Sequence, residues 1–100
     1  MTIAIKIHKS YRIVAAFCDS NLVGKKIEEG KKQLDLRESF YKEKEVSYEE
    51  AISIMIKQAR EDATFNIVGE ESIKAALEVG IIGKESIGYI NKIPFALALL

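Results

Sequence analysis

The side chains able to do chemistry in this sequence are few. There is one histidine, His8, and one cysteine, Cys18. A zinc centre needs three or four ligands drawn from Cys, His and carboxylates, so this inventory predicts no metal site. No cofactor is expected either. Val23-Gly24-Lys25-Lys26 has a glycine before lysines but lacks the first glycine and the hydroxyl residue of a phosphate-binding loop. Gly-x-Gly-x-x-Gly and Gly-x-Ser-x-Gly are both absent from the chain. Cys18 closes an apolar run and reads as a small buried hydrophobe rather than a thiolate. A Cys18–His8 pair across a hairpin would still need a third group to orient it. These residues predict no catalytic set.

Phosphate and base recognition is the chemistry with more material. Lys6, Lys9, Arg12, Lys25, Lys26, Lys31, Lys32 and Arg37 are candidate phosphate contacts. Each neutralised phosphate would steepen the salt dependence of binding by a slope of about 0.7–0.9. His8 lies among them as a further phosphate or base contact, against the plainer reading of a hairpin-end residue on a polar face. In Arg37-Glu38-Ser39-Phe40-Tyr41 a planar guanidinium and two aromatic rings, Phe40 and Tyr41, are positioned to stack on unpaired bases. The competing reading puts Phe40 in the core, leaves Tyr41 partly buried and pairs Arg37 with a carboxylate. The lysine pairs 25–26 and 31–32 flank Glu28-Glu29, which also fits a solvated loop of alternating charge. In a second string, Asn66-Ile67-Val68-Gly69-Glu70, Gly69 permits a strand-to-helix turn and Asn66 is placed to bond its backbone. Glu70 and Glu71 already occupy the positive end of the helix that follows.

The elements that must position these residues follow from periodicity. Ile3, Ile5 and Ile7 alternate with polar neighbours and predict a half-buried strand. Residues 12–18 are apolar on both faces and predict a central partner strand, so the chain opens on a β-hairpin. Asp19 or Ser20 is expected to cap a short helical turn that Gly24 ends. Residues 25–27 and 33–36 predict short strands, the second extended by residues 39–41, and residues 42–45 a solvated charge run. Ser47-Tyr48-Glu49-Glu50 is a capping box, and the apolar spacing after it predicts a helix over 48–60. A strand over 63–68, a helix over 70–79 closed by Gly80, a weak strand over 87–93 and a final alternation after Pro94 complete the chain. Strands first, then helices interleaved with strands, give a single small α+β domain: an N-terminal hairpin in a mixed sheet with two helices packed against it.

Composition bounds the setting. One hundred residues with 48% apolar and 30% charged content suit one globular domain. A single cysteine, no signal-like start and no apolar run near ~20 residues predict a cytoplasmic protein with no membrane contact. Fifteen basic and fifteen acidic groups cancel, but residues 1–45 carry ten basic and seven acidic groups and residues 46–100 five and eight. The N-terminal half is therefore the expected face for an anionic partner.

The string Arg37–Tyr41, the Val46-Ser47 helix start, Asn66–Glu70, the helix end at 75–80 and the opening Lys6-Ile7-His8 together resemble the archaeal domain-of-unknown-function 424 family. Glu38, Ser39, Asn66, Gly69, Glu70 and Pro94 are the positions that carry the motif. Where that family tends to show Val-Pro-His-Ala, this chain reads Ile93-Pro94-Phe95-Ala96. The resemblance implies a small archaeal cytoplasmic protein with RNA binding and a link to translation or the ribosome. It brings no catalytic residue. Two other readings stand beside it. One is a protein–protein adaptor or homodimer using the apolar end at 95–100, and the other a small enzyme using Arg37, Glu38 and Ser39.

Overall fold

The alternation at Ile3, Ile5 and Ile7 builds strand β1 (Ile3–Lys9), which turns back into β2 (Ile13–Asp19). The two are antiparallel, with Ile3 opposite Asp19 and Lys9 opposite Ile13. The structure, a computed structural model, describes residues 1–99. Strand β2 is central because both its faces are apolar: it also pairs in parallel with β6 (Thr64–Val68). Strand β6 pairs antiparallel with β8 (Ile93–Leu99), and short β7 (Gly88–Ile90) closes that side. On the other side β5 (Lys44–Val46) pairs with the first three residues of β1. The order is β5-β1-β2-β6-β8-β7, a mixed sheet that contains the expected hairpin.

Helices α2 (Tyr48–Arg60) and α3 (Glu70–Val79) cover one face of this sheet, and their bounds are those the periodicity predicts. The Ser47 side chain accepts from the Glu50 N–H at 3.1 Å, satisfying one of the free donors at the start of α2. Gly80, left-handed at φ 88°, closes α3. Phe17, Phe65, Ile67, Ile5, Met55 and Ala76 meet in the core between sheet and helices. Among the described residues no helix is long and apolar enough to cross a membrane.

The second face is covered by short pieces. A 3-10 turn at Ser20–Leu22 leads to a two-stranded hairpin, β3 (Lys26–Glu29) with β4 (Lys32–Asp35). Residues 39–41 do not extend β4. They belong to one helical turn, α1 (Glu38–Tyr41), because the Tyr41 and Lys42 N–H groups bond back to the Arg37 and Glu38 carbonyls. The run at 42–45 is not wholly a loop, since Lys44 and Glu45 join edge strand β5 with exposed side chains. The weak strand expected over 87–93 is split by a turn at Asn91-Lys92, both at positive φ. Leu22, Leu36 and Tyr41 pack with Ala16, Cys18 and Val68 to form a smaller second core.

Candidate functional site

The two strings singled out in the sequence fold into two joints. At the first, the last turn of α1 lies against β1. The Lys6 ammonium donates to the Ser39 carbonyl at 2.8 Å, and His8 Nε2 donates to the Phe40 carbonyl at 2.8 Å. The His8 ring stacks on Phe40, with centroids 4.5 Å apart. A helical turn ends with unsatisfied carbonyls, and these two side chains supply donors for them. Tyr41, offered above as a base-stacking ring, is buried beneath α1, with its ring edge against Phe40. It has no face free for a base. Phe40, by contrast, is half-buried.

Arg37 and Glu38 stand on the outside of this joint. Arg37 pairs with Asp35 at 2.9 Å and Glu38 lies 3.9 Å from Lys42, both at exposed positions. They do not converge in a cleft, as the small-enzyme reading requires. Cys18 and His8 are apart as well. Cys18 is opposite Ala4 on β1, four residues from His8, or roughly 13 Å along the strand. Burial, with the Asp19 charge beside it, pushes the Cys18 thiol up to about 12. It is therefore not a thiolate at neutral pH.

The second joint is the turn from β6 into α3. Asp19, at the end of β2, is buried and accepts from the Glu71 N–H at 3.1 Å and from the Ser72 N–H and hydroxyl at 2.8 Å. The positive end of α3 is thus held by Asp19 from another strand. The 3-10 turn that Asp19 precedes receives no bond from its side chain, contrary to the capping role expected above. Gly69 has φ 106°, and a Cβ there would collide with the Asp19 carboxyl group, so both conformation and space demand glycine. The Gly69 N–H donates to the Pro94 carbonyl at 2.9 Å, while the Gly69 carbonyl accepts from the Ile73 N–H at 2.9 Å. Since the Gly69 carbonyl is used by the helix, Pro94 loses no ladder bond by lacking an N–H. Asn66 is not at the turn. It lies mid-strand in β6, opposite Ala16 and Leu97.

The predicted phosphate contacts do not form one patch. Lys9 points to the helix side of the sheet, and Arg12 stands exposed in the β1–β2 turn. Lys25, Lys26, Lys31 and Lys32 are exposed on and beside the β3–β4 hairpin. None of the ion pairs found among the described residues involves these four lysines. Inward-facing Ile27 and Leu34, opposite each other, hold the hairpin against the sheet.

Sequence reasoning missed a groove of about 390 Å³ between α3 and β7. Ile73, Leu77, Ile87 and Pro94 line it together with Lys74, Lys84, Lys92, Glu70 and Tyr89. Tyr89 is 59% exposed, and the Lys74 ammonium lies 5.5 Å over the Tyr48 ring. Lys84 and Lys92 contribute charge at the groove. The hairpin contacts β7 through both its strands, and the two sites meet where the Asn91 N–H donates to Glu29 Oε1 at 2.8 Å. The only hint in the sequence was Tyr89 spaced between Lys84 and Lys92, and the net negative charge of the C-terminal half hides it. Among the described residues no cluster of three or more His, Cys, Asp or Glu side chains is arranged to hold a metal.

A family model described as a protein of unknown function (DUF424) matches residues 7–99. The fold matches the crystal structure of an uncharacterized conserved protein from Methanopyrus kandleri with a TM-score of 0.87 and 21% identity, covering 97% of this chain and 90% of that one. At that identity the likeness speaks for the fold. No curated protein matches the chain.

Proposed function

The chain belongs to the DUF424 family of proteins of unknown function, and from that premise we propose that it is a non-catalytic RNA-binding protein working with the translation machinery. One observation carries this reading. The unpaired lysines of the β3–β4 hairpin adjoin the groove in which Lys84 and Lys92 accompany exposed Tyr89. Lysines track a phosphate backbone, and a tyrosine ring beside an apolar floor gives a base somewhere to stack. Such a surface would bind single-stranded RNA with little sequence preference and with a steep loss of affinity in salt.

The test is RNA binding by the purified chain at two salt concentrations, with ribosomal RNA and oligouridylate as ligands. Lys84→Glu with Lys92→Glu is expected to weaken binding at least tenfold at low salt and to flatten the salt slope. Tyr89→Ala is expected to weaken it about fivefold or more, with the slope unchanged, since base stacking contributes about 1–3 kcal/mol. Affinity untouched by all three changes would remove this surface from the proposal.

A second reading, a protein–protein adaptor, is favoured by β8. Phe95, Ala96 and Ala98 pack into the two cores, but Leu97 and Leu99 are 57% and 72% exposed. Strand β7 pairs only as far as Phe95, so the outer edge of residues 96–99 is open. Sedimentation would show whether a second copy covers this edge, and Leu97→Lys would then dissociate it.

A further inference from the structure

We infer that the outer edge of β1 is a docking site for an extended, acidic segment of a partner protein, which would add to the sheet as a further strand. The Ile5 carbonyl accepts from the Glu43 N–H at 2.7 Å, on the side where β5 runs. Backbone groups alternate along a strand, so those of Ile7 and Lys9 point to the same side. Pairing with β5 stops at Ile5 opposite Lys44, because the chain before Glu43 leaves the sheet plane to form α1. Ile7 and Lys9 therefore present their N–H and C=O groups on an open edge. Such an edge is a template for another strand.

Beside this edge runs a groove of about 710 Å³ between β1 and α2. Its apolar lining is Ile5, Ile7 and Ile54, and its charged lining is Lys9, Lys44 and Lys57 against the single carboxylate of Glu43. Gln58 also lines it. That residue is only 6% exposed, and its Oε1 has no hydrogen-bond partner among the described residues. A buried amide oxygen without a donor is unfavourable, and a backbone N–H of a strand lying in the groove would supply one. Three features thus coincide: free backbone groups, an orphaned amide and an apolar floor with a basic rim.

The charge balance selects the occupant. An extended segment that turns alternate Glu or Asp residues toward the groove would set their carboxylates against Lys9, Lys44 and Lys57 and their methylenes over Ile7 and Ile54, leaving its apolar residues on the opposite face of the sheet. A second copy of this chain would instead bring a duplicate set of Lys9, Lys44 and Lys57 into the same groove, where like charges repel.

The probe is a fluorescein-labelled octapeptide of alternating valine and glutamate, titrated into the full chain. Binding is expected, with slowed amide exchange at Ile7 and Lys9. A valine–lysine octapeptide, the acidic peptide N-methylated along one edge, and the Lys57→Glu variant are each expected to lose at least tenfold. Gln58→Leu should raise the midpoint of thermal unfolding yet bind the peptide at least threefold more weakly, a combination that damage to the fold would not give. Equal binding of the lysine peptide, indifference to N-methylation, or displacement of the acidic peptide by oligouridylate would each overturn the inference.

Discussion

The two faces of the sheet are covered in different ways. On the helix side, two long regular elements whose apolar residues recur at helical spacing lie over Ile5, Phe17, Phe65 and Ile67, all buried. On the other side, cover comes from a hairpin, one helical turn and a 3-10 turn. It extends over the row Ala4–Cys18–Val68–Phe95 and reaches His8 through Phe40, but it leaves Leu97 and Leu99 exposed at the far end of the sheet. Regular elements bury area and provide stability, whereas short pieces over a smaller core open at lower free-energy cost and leave surface for partners. The unpaired lysines belong to the second kind of cover.

The largest expected effect separates the two faces directly. Phe17→Ala, on the helix side, should cost about 3–5 kcal/mol in denaturant unfolding, because the core around it has no room to collapse. Phe40→Ala, on the other face, should cost about 1 kcal/mol, since that ring is half-buried and its loss leaves the backbone bond from His8 intact. Equal losses would show that the two covers are energetically alike.

Next comes the joint that ties the faces together. Gly69→Ala forces a side chain into positive φ and against the buried Asp19 carboxylate, and is expected to cost about 2–3 kcal/mol in the same assay. Asp19→Asn keeps the shape but weakens the acceptor. It should lose about 1 kcal/mol.

How much of this was legible depended on whether a residue's role was set locally. The bounds of α2 and α3 follow from the capping box, the apolar spacing and Gly80, all of which act within a few residues. The role of Asp19 was not legible, because its partners at Glu71 and Ser72 are more than fifty residues away. The strand expected at residues 39–41 fails for a related reason. The aromatic residues there favour a strand locally, but Lys6 and His8 supply donors that a helical turn can use. The Lys84–Tyr89–Lys92 groove exists only once α3 folds over β7.

A pH titration probes the second core through Cys18 and Tyr41, while on the helix side Tyr48, raised to about 12 by burial and by its hydrogen bond to Glu78, shifts in the same window. Burial raises the Cys18 thiol to about 12, and burial followed by the Cys18 charge raises the Tyr41 phenol to about 12. Both groups are held neutral in the fold, while in the unfolded chain they ionise near 9.0 and 10.0. Their contribution is fully present below pH 9 and is lost as the pH rises toward 12. Thermal unfolding should show a fall of at least about 1 kcal/mol, roughly 4–8 °C, across that window. Cys18→Ala should reduce the fall. A titration identical in the two proteins would place its cause outside this core.

The smallest expected effect concerns the most conspicuous residue of the sequence. Arg37 opens the string that suggested base stacking, yet its side chain is 75% exposed and its contact is a 2.9 Å pair with Asp35 two residues away. An exposed pair of this kind is worth about 0–1 kcal/mol and is screened by salt. Arg37→Ala is therefore expected to change stability by less than about 0.5 kcal/mol. RNA affinity should fall no more than about threefold, well short of the Lys84 and Lys92 reversal. A tenfold loss of RNA binding with stability unchanged would move the interface from the β7 side to the α1 joint, where Phe40 is the available ring. It would also make the second face, rather than the groove, the surface on which bases lie.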